Sequence, residues 1–523
     1  MRKQIGTGAG ADGTRTRWWA LGVVSLAQLM VVLDVTIVNI ALPSAQAELG
    51  IGDAERHWVI TAYALALGGL LLLGGRIAGA IGHRRAFAVG LVGFAAASVA
   101  GGAAGNAAAL FAARAGQGVF AALLAPAALS LVILTFPDGR ERGRAFGVFA
   151  GVGAAGAALG LVAGGLLTEY ADWRWCLYIN VPMALVTLAG TVLIPRDRPG
   201  GVPHGLDLPG VLLSTAGLGV LVHGFTEAEP HGWSDPGVLG LLLLGALLLG
   251  LFVLVEARSG SPLLPLRILA DRVRGGAFVA VLAMYIAMFG FYLFLSYYTQ
   301  MILGYSPVEA GLTLLINALA TTVGAMVVAQ RARGRTGPDV LITGSLLAAA
   351  AGMLVLTRVT ADSSQVLVGF LAPAMVLTGL GLGCLLAVAT ERATAGLAPA
   401  EAGVASAAYN TVQQMGAAFG TALLNSIAAG ATASYLREHG PGAVRAGTVH
   451  GYTTALWAAA GILVGGALLT VLIARGRRRA EARAVGAVDA PAVGAVDGPD
   501  RRAGSPGGRT PDAGTGAGRQ GGA

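Results

Sequence analysis

Leu33-Asp34-Val35-Thr36-Ile37-Val38-Asn39-Ile40-Ala41-Leu42-Pro43 places a carboxylate and an amide inside a run of apolar residues extending from Trp18 to Leu42. That run is long enough to cross a hydrocarbon core of roughly 30 Å at about 1.5 Å per residue. It is too long for the apolar part of a signal peptide, although Ala45-Gln46-Ala47 imitates a cleavage site. It reads as a retained first span. An Asp within a span costs roughly 2.5–3.5 kcal/mol on insertion scales, so Asp34 is expected to face a cavity or a partner. A carboxyl in so poor a solvent suits binding and releasing a proton. A permanently paired, structural Asp is the competing reading.

Working outward, the same kind of run recurs along the chain. Of 523 residues, 55% are hydrophobic and 12% charged, about half the charge of a soluble domain. About fourteen runs can be marked, from Trp18–Leu42 to Thr453–Ala474, which puts both termini on one side of the membrane. The distribution of basic residues supports that count. With the N-terminus in the cytoplasm, 29 of the 35 Lys and Arg fall on the cytoplasmic side, five fall outside, and Arg114 lies within a span. The excess of basic over acidic residues is spread through these short connections, which argues against a nucleic-acid surface. The expected fold is therefore an all-α integral membrane protein of the cell membrane, with both termini cytoplasmic.

The boundaries expected are a cytoplasmic tail over 1–17, a six-helix bundle over 18–194, two additional spans over 195–257, a second six-helix bundle over 258–475 and a disordered cytoplasmic tail over 476–523. That last segment is rich in Gly, Ala, Pro, Arg and Asp and has too little apolar surface to offset the entropy of ordering. Cys176 and Cys384 both lie in or beside apolar runs and read as free core thiols. No metal-ligand spacing, no Gly-x-x-x-x-Gly-Lys-Ser/Thr phosphate loop and no Gly-x-Ser-x-Gly elbow occurs, so neither an enzyme nor a cofactor is expected.

Several further residues stand out. Arg114, in Leu110-Phe111-Ala112-Ala113-Arg114-Ala115-Gly116-Gln117-Gly118, cannot lose its charge and needs a carbonyl, an amide or a carboxylate as partner. It is read either as tuning a neighbouring acid or as clamping helix ends. Gly75, Gly82, Arg84 and Arg85 bound a tight cytoplasmic turn between the second and third spans. Gly156, Gly160 and Gly164 recur at spacing four and invite a second helix to close approach, whether for plain packing or for rocking. In the ninth span Tyr285, Phe289, Tyr292 and Ser296 share one face beside Met284 and Met288. Such a stripe could stack varied apolar ligands or pack against helices and lipid. Asn39, Gln117, Asn317, Asn410 and Gln414 are uncharged polar groups within spans, and are expected to face a substrate.

Together with Trp173-Arg174-Trp175…Asn180-Val181-Pro182, Gln300…Gly304-Tyr305-Ser306-Pro307…Ala310-Gly311-Leu312 and Gly403-Val404-Ala405-Ser406…Gln413-Gln414-Met415-Gly416, these stretches resemble the major facilitator superfamily, and within it the fourteen-span drug:proton antiporters. The resemblance covers residues 18 to about 475. It implies two six-span bundles around a midplane cavity with two extra central spans, protons and a small molecule as partners, and multidrug or antibiotic efflux. Under it Asp34 and Arg114 couple to protons. Two positions depart from the pattern: Gly79 stands where the family usually has Asp, and Leu161 follows Gly160 where the antiporter motif has Pro. A proton symporter or uniporter on the same fold therefore stands as the alternative, and a non-transporting receptor or scaffold as a remoter one. The sequence says nothing of oligomeric state.

Overall fold

The protein is described by a computed structural model covering residues 9–53, 55–136, 139–195, 207–259, 271–332, 335–360, 365–394 and 399–488. The long helices, in order, are α1 (Ala9–Leu49), α2 (Trp58–Ile81), α3 (His83–Gly102), α4 (Ala107–Thr135), α5 (Gly139–Tyr170) and α6 (Trp175–Leu193, interrupted at Ile179). Then come α7 (Leu208–His231), α8 (Pro236–Arg258), α9 (Arg272–Tyr297), α10 (Pro307–Val323), α11 (Pro338–Leu356), α12 (Ala372–Thr394), α13 (Pro399–His439) and α14 (Val444–Val488). Among the described residues there is no strand.

Local chemistry sets the helix ends. Asn106 starts α4 by accepting from Ala109 N at 2.9 Å. Asp235 starts α8, with Pro236 next in line, by accepting from Gly237 N at 2.8 Å. Ser306 and Glu309 form a reciprocal capping box at α10, again with Pro in the first position. The α2–α3 turn needs Gly82, whose φ of +94° lies where side chains are disfavoured.

Among the described residues, twelve helices are long and apolar enough to cross a membrane, or thirteen if the two halves of α2, bent by 57° between Leu71 and Leu73, form one span. The expected fourteen is not reached. The helix that falls outside the set is α13, which is 41 residues long but carries Asn410, Gln413, Gln414, Thr421 and Asn425. Those residues lower its apolarity because much of it faces other protein. At the other extreme, α8 turns Leu239, Leu243 and Leu247 outward, more than half exposed, as a lipid-facing helix does.

Within Met1–Arg477, which forms one compact unit, α2 packs on α4, α1 on α5 and α3 on α4. In the second half α11 packs on α12, α9 on α13 and α10 on α12. The halves meet where α13 lies on α2 and α10 on α5, while α7 pairs with α8 and rests on α13 and α2. The remaining unit begins at Arg478. The expectation of a disordered segment from 476 needs correcting over its first part, because α14 continues to Val488. Arg477-Arg-Arg-Ala-Glu-Ala-Arg-Ala is rich in strong helix formers. Residues 489–523 lie outside the described residues, as do 1–8.

Trp173 is buried and donates its indole N–H to Glu48 at 2.6 Å, leaving Trp175 exposed.

Candidate functional site

Asp34 and Arg114 meet. Arg114 Nη1 donates to Asp34 Oδ2 at 2.6 Å, and both side chains are almost wholly buried. Asp34 Oδ1 accepts from Asn180 Nδ2 at 2.7 Å and from Gln117 Nε2 at 3.0 Å. Gln117 Nε2 also lies 2.8 Å from Ser98 Oγ, and Gln117 Oε1 accepts from Arg114 Nη1 at 2.7 Å. Arg114 Nε donates to the Val59 carbonyl at 2.9 Å, and the guanidinium lies 4.6 Å over the ring of Tyr63. Five helices, α1, α2, α3, α4 and α6, thus converge on one ion pair. Taking two charges out of water costs several kcal/mol per ion, and only such a full set of bonds makes that tolerable. The carboxylate accepts from three donors. Apart from Asp34, Arg114 holds Gln117 Oε1, the Val59 carbonyl and the Tyr63 ring.

Beside this cluster lies a cavity of about 720 Å³ between the two halves. Val31, Val35, Tyr63 and Leu67 line it from the first half, and Tyr285, Phe289, Tyr292, Asn410 and Gln414 from the second. It extends towards the end of the bundle that carries the Gly82 turn, where Gly75, Arg76, Ser130 and Phe149 border it. Tyr285 and Phe289 stack at 5.9 Å, and Phe289 meets Tyr292 edge-on at 6.5 Å, giving a continuous aromatic wall.

At the opposite end the halves are sewn together by polar contacts. Ser296 Oγ donates to the Asn39 carbonyl at 2.6 Å, Gln300 Nε2 to the Ile40 carbonyl at 3.2 Å, and Tyr297 Oη to Gln46 Oε1. The Thr61 and Thr421 hydroxyls are 2.6 Å apart. Arg56, buried under Tyr297 at 4.2 Å, donates to Asn425 Oδ1 at 2.9 Å, and Asn425 donates back to the Asp53 carbonyl at 3.0 Å. A π-helical turn at Tyr298–Ile302, directly after α9, presents Gln300 to this seam. Each such bond contributes about 0.5–1.5 kcal/mol net. The seam is therefore held by a few kcal/mol, a bias that differential ligand binding can reverse. A second cavity, of about 770 Å³, lies beyond it and reaches Gln46, Arg56, Thr432 and Arg445.

Two glycine contacts add to the seam, beside Val308 N donating to Glu169 Oε2 at 3.1 Å. A Cβ on Gly311 would overlap the Leu161 carbonyl, and one on Gly165 would come within 2.7 Å of the Pro307 carbonyl, so α5 and α10 touch backbone to backbone. Gly156, Gly160 and Gly164 face α1 instead, where a Cβ would meet Leu29, Thr36 and Ile37 respectively. α5 runs unbroken through Leu161, in keeping with the absent proline. A Cβ on Gly79 meets nothing within 4 Å.

Of the residues expected to face a substrate, Tyr285, Phe289, Tyr292, Asn410 and Gln414 border the cavity, and the other three do not. Gln117 is spent on Asp34 and Arg114. Asn39 donates to the Val35 carbonyl within its own helix, at the sealed seam. Asn317 sits behind the wall, accepting from Tyr292 Oη at 2.6 Å and donating to Thr378 Oγ1 and the Met375 carbonyl. An amide in a span can satisfy itself on backbone as well as face a cavity, and its position in sequence does not separate the two. Gly75 borders the cavity across from Pro126, and Arg85 is exposed at the turn. Ser98, Tyr63, Arg56 and Asn425 escaped the sequence reading, and Asn180 and Gln413 entered it only within the stretches that carry the resemblance, with no role at the site. For Asn180 and Ser98 a signal existed, since an Asp in a span needs donors and these are polar residues of neighbouring spans.

The sequence profile of the Major Facilitator Superfamily matches residues 24–421. The chain belongs to the major facilitator superfamily. It is 56% identical over 460 residues to the puromycin resistance protein of Streptomyces alboniger, spanning 88% of this chain and 90% of that protein. With the cephamycin export protein of Amycolatopsis lactamdurans it shares 39% identity over 423 residues, 80% of this chain and 86% of that one. Among solved structures, a bacterial homologue of the human lysosomal transporter Spinster superimposes with a TM-score of 0.62 at 15% identity, covering 88% of this chain and 97% of that one. A peptide transporter in complex with sulfate gives 0.64 at 18%, covering 87% and 94%. This member of the superfamily is a membrane transporter and not an enzyme.

Proposed function

We propose that this transporter exports an aromatic or amphipathic antibiotic from the cytoplasm across the cell membrane in exchange for protons, with both termini inside. The observation that carries the reading is the buried Asp34–Arg114 pair set one residue layer behind a cavity that reaches one end of the bundle and is sealed at the other. That arrangement is one of the two states alternating access requires, with the seam at Asn39–Ser296 and Arg56–Asn425 as the closed gate. One charge moving down 100 mV releases roughly 2.3 kcal/mol, enough for about a 50-fold cargo gradient. Relatives concerned with puromycin resistance and cephamycin export support an antibiotic as cargo. Uptake with protons is the second reading, favoured by Leu161 in place of the antiporter motif's proline, which leaves α5 without a kink.

The aromatic wall tests the cargo assignment. In an efflux-deficient host, Tyr285→Ala, Phe289→Ala and Tyr292→Ala should each lower resistance unequally across a panel of antibiotics at matched protein level. One lost stacking or cation–π contact is about 0.5–2 kcal/mol, a roughly 2- to 30-fold change in affinity. Tyr292→Ala should also lower protein level, since it strips Asn317 of a buried partner. A uniform shift across all compounds for the other two would remove the wall from cargo binding.

A further inference from the structure

Asp34 is sealed from the cavity, yet a proton exchanged with cargo must reach it. On this side the cavity is lined by Gln28, Val31, Val32, Val35 and Thr36 of α1 and by Tyr63 and Leu67 of α2. The Thr36 hydroxyl donates to the Leu33 and Val32 carbonyls of its own helix, and Thr36 is the residue a Cβ on Gly160 of α5 would strike, whereas the Tyr63 hydroxyl is bonded by no described residue.

Tyr63 has an unusual position. Its ring borders the cavity while the Arg114 guanidinium lies 4.6 Å over the ring, and that same guanidinium holds Asp34 at 2.6 Å. The side chain is 2% exposed, and among the described residues no group bonds its hydroxyl. A buried hydroxyl without a partner is costly, so its retention on a residue whose ring packs as well as phenylalanine asks for a use.

We propose that Tyr63 is the gate between the cargo cavity and Asp34, so that proton and cargo enter through one doorway. This rests on the proton-exchange reading above. The ring insulates the ion pair from cavity water when no cargo is moving. The hydroxyl, which bonds no described group at rest, relays the proton once it turns to Asp34: the phenol passes its own proton to the Asp34 carboxylate and takes one from a hydronium ion on the cavity side, leaving water and an unchanged tyrosine. Protonated Asp34 then releases Arg114, which retains Gln117 Oε1 and the Val59 carbonyl. Tyr63 acts on cargo only through the ion pair. The titratable groups facing Asp34 are Arg114 from α4, Tyr63 from α2 and Cys176 from α6, whose thiol is turned to Thr168 and the Gly164 carbonyl. From α3 and α6 the remaining polar neighbours, Ser98 and Asn180, are neutral.

The test uses the full-length protein in sealed vesicles containing a pH-sensitive dye, with a pH gradient imposed and no cargo added. Wild type should hold the gradient, and Tyr63→Leu should dissipate it at least tenfold faster. The double variant Asp34→Asn/Tyr63→Leu should hold it again, because the leak passes through Asp34. Tyr63→Phe, which keeps the ring and folds most readily, should hold the gradient but lose at least tenfold in gradient-driven puromycin export, with a flattened pH profile. A tight Tyr63→Leu together with a fully active Tyr63→Phe overturns the gate. A leak that persists in the double variant overturns it also. Should Asp34→Asn alone export as wild type does, the proton-exchange reading fails first and the gate with it; an inactive Asp34→Asn beside a fully active Tyr63→Phe sinks the gate alone.

Discussion

Asp34→Asn is expected to insert and accumulate normally yet reduce gradient-driven transport to the level of empty vesicles. The amide oxygen of the variant can still accept from Asn180 and Gln117, which both bind Asp34 Oδ1. Its amide nitrogen then faces Arg114 Nη1 where Oδ2 stood, donor against donor. Removing one partner of a buried ion pair costs about 3–5 kcal/mol. Here part of that is offset, because Arg114 keeps the Val59 carbonyl, Gln117 and the Tyr63 ring. What no substitution offsets is the loss of the only carboxylate among the described residues of the cluster. Transport measured in vesicles under an imposed pH gradient, at equal protein content, is the check; undiminished flux would take Asp34 out of the mechanism.

Gly311→Val should produce the second large effect, and through conformation alone. A Cβ there overlaps the Leu161 carbonyl, and backbone cannot rotate aside as a side chain can. α5 and α10 must therefore separate at the sealed end. Overpacking of this kind costs about 1–3 kcal/mol, which disfavours the sealed state by roughly 5- to 150-fold. Gly165→Val, pressing on Pro307 and Val308 from the other helix, should act in the same direction. Spin labels at Asp172 and Gly442, on the two halves at that end, should report longer distances in both variants, with transport lost. Unchanged distances with intact transport would mean that this seam does not open. Should the valine lower protein level, Gly311→Ala carries the same overlap with less bulk beyond it.

The parts of this molecule legible in the sequence are those with a single physical solution. A carboxylate and a guanidinium within spans have few ways to be tolerated, so Asp34 and Arg114 could be singled out and are found together. The stripe at Tyr285, Phe289 and Tyr292 was visible because helical spacing puts those rings on one face; the wall of the cavity uses them in that order. Uncharged polar residues are different. Asn39, Asn317 and Gln117 look alike in sequence, yet one bonds its own helix, one buttresses a tyrosine and one completes the ion pair. Their neighbours across helices decide the matter, and those are 25 to 146 residues away in bonds such as Tyr292–Asn317 and Asn180–Asp34. The expected fourteen spans are not matched by apolarity alone for a related reason. α13 lies against α2 and α9 and can afford Asn, Gln and Thr, which blurs the apolar signal that marks lipid-facing helices. Arg56 was hidden by its position in a short connection, where an arginine ordinarily meets water, whereas here Tyr297, Tyr452 and Asn425 enclose it.

The central claim is that cargo leaves as protons enter. Inside-out vesicles containing the purified protein would be given a pH jump of either sign, with puromycin uptake into the lumen, the equivalent of export, as the readout. An acidic lumen should accelerate uptake in wild type and leave Asp34→Asn at background. Acceleration by an alkaline lumen, or uptake indifferent to the sign of the gradient, would contradict proton exchange.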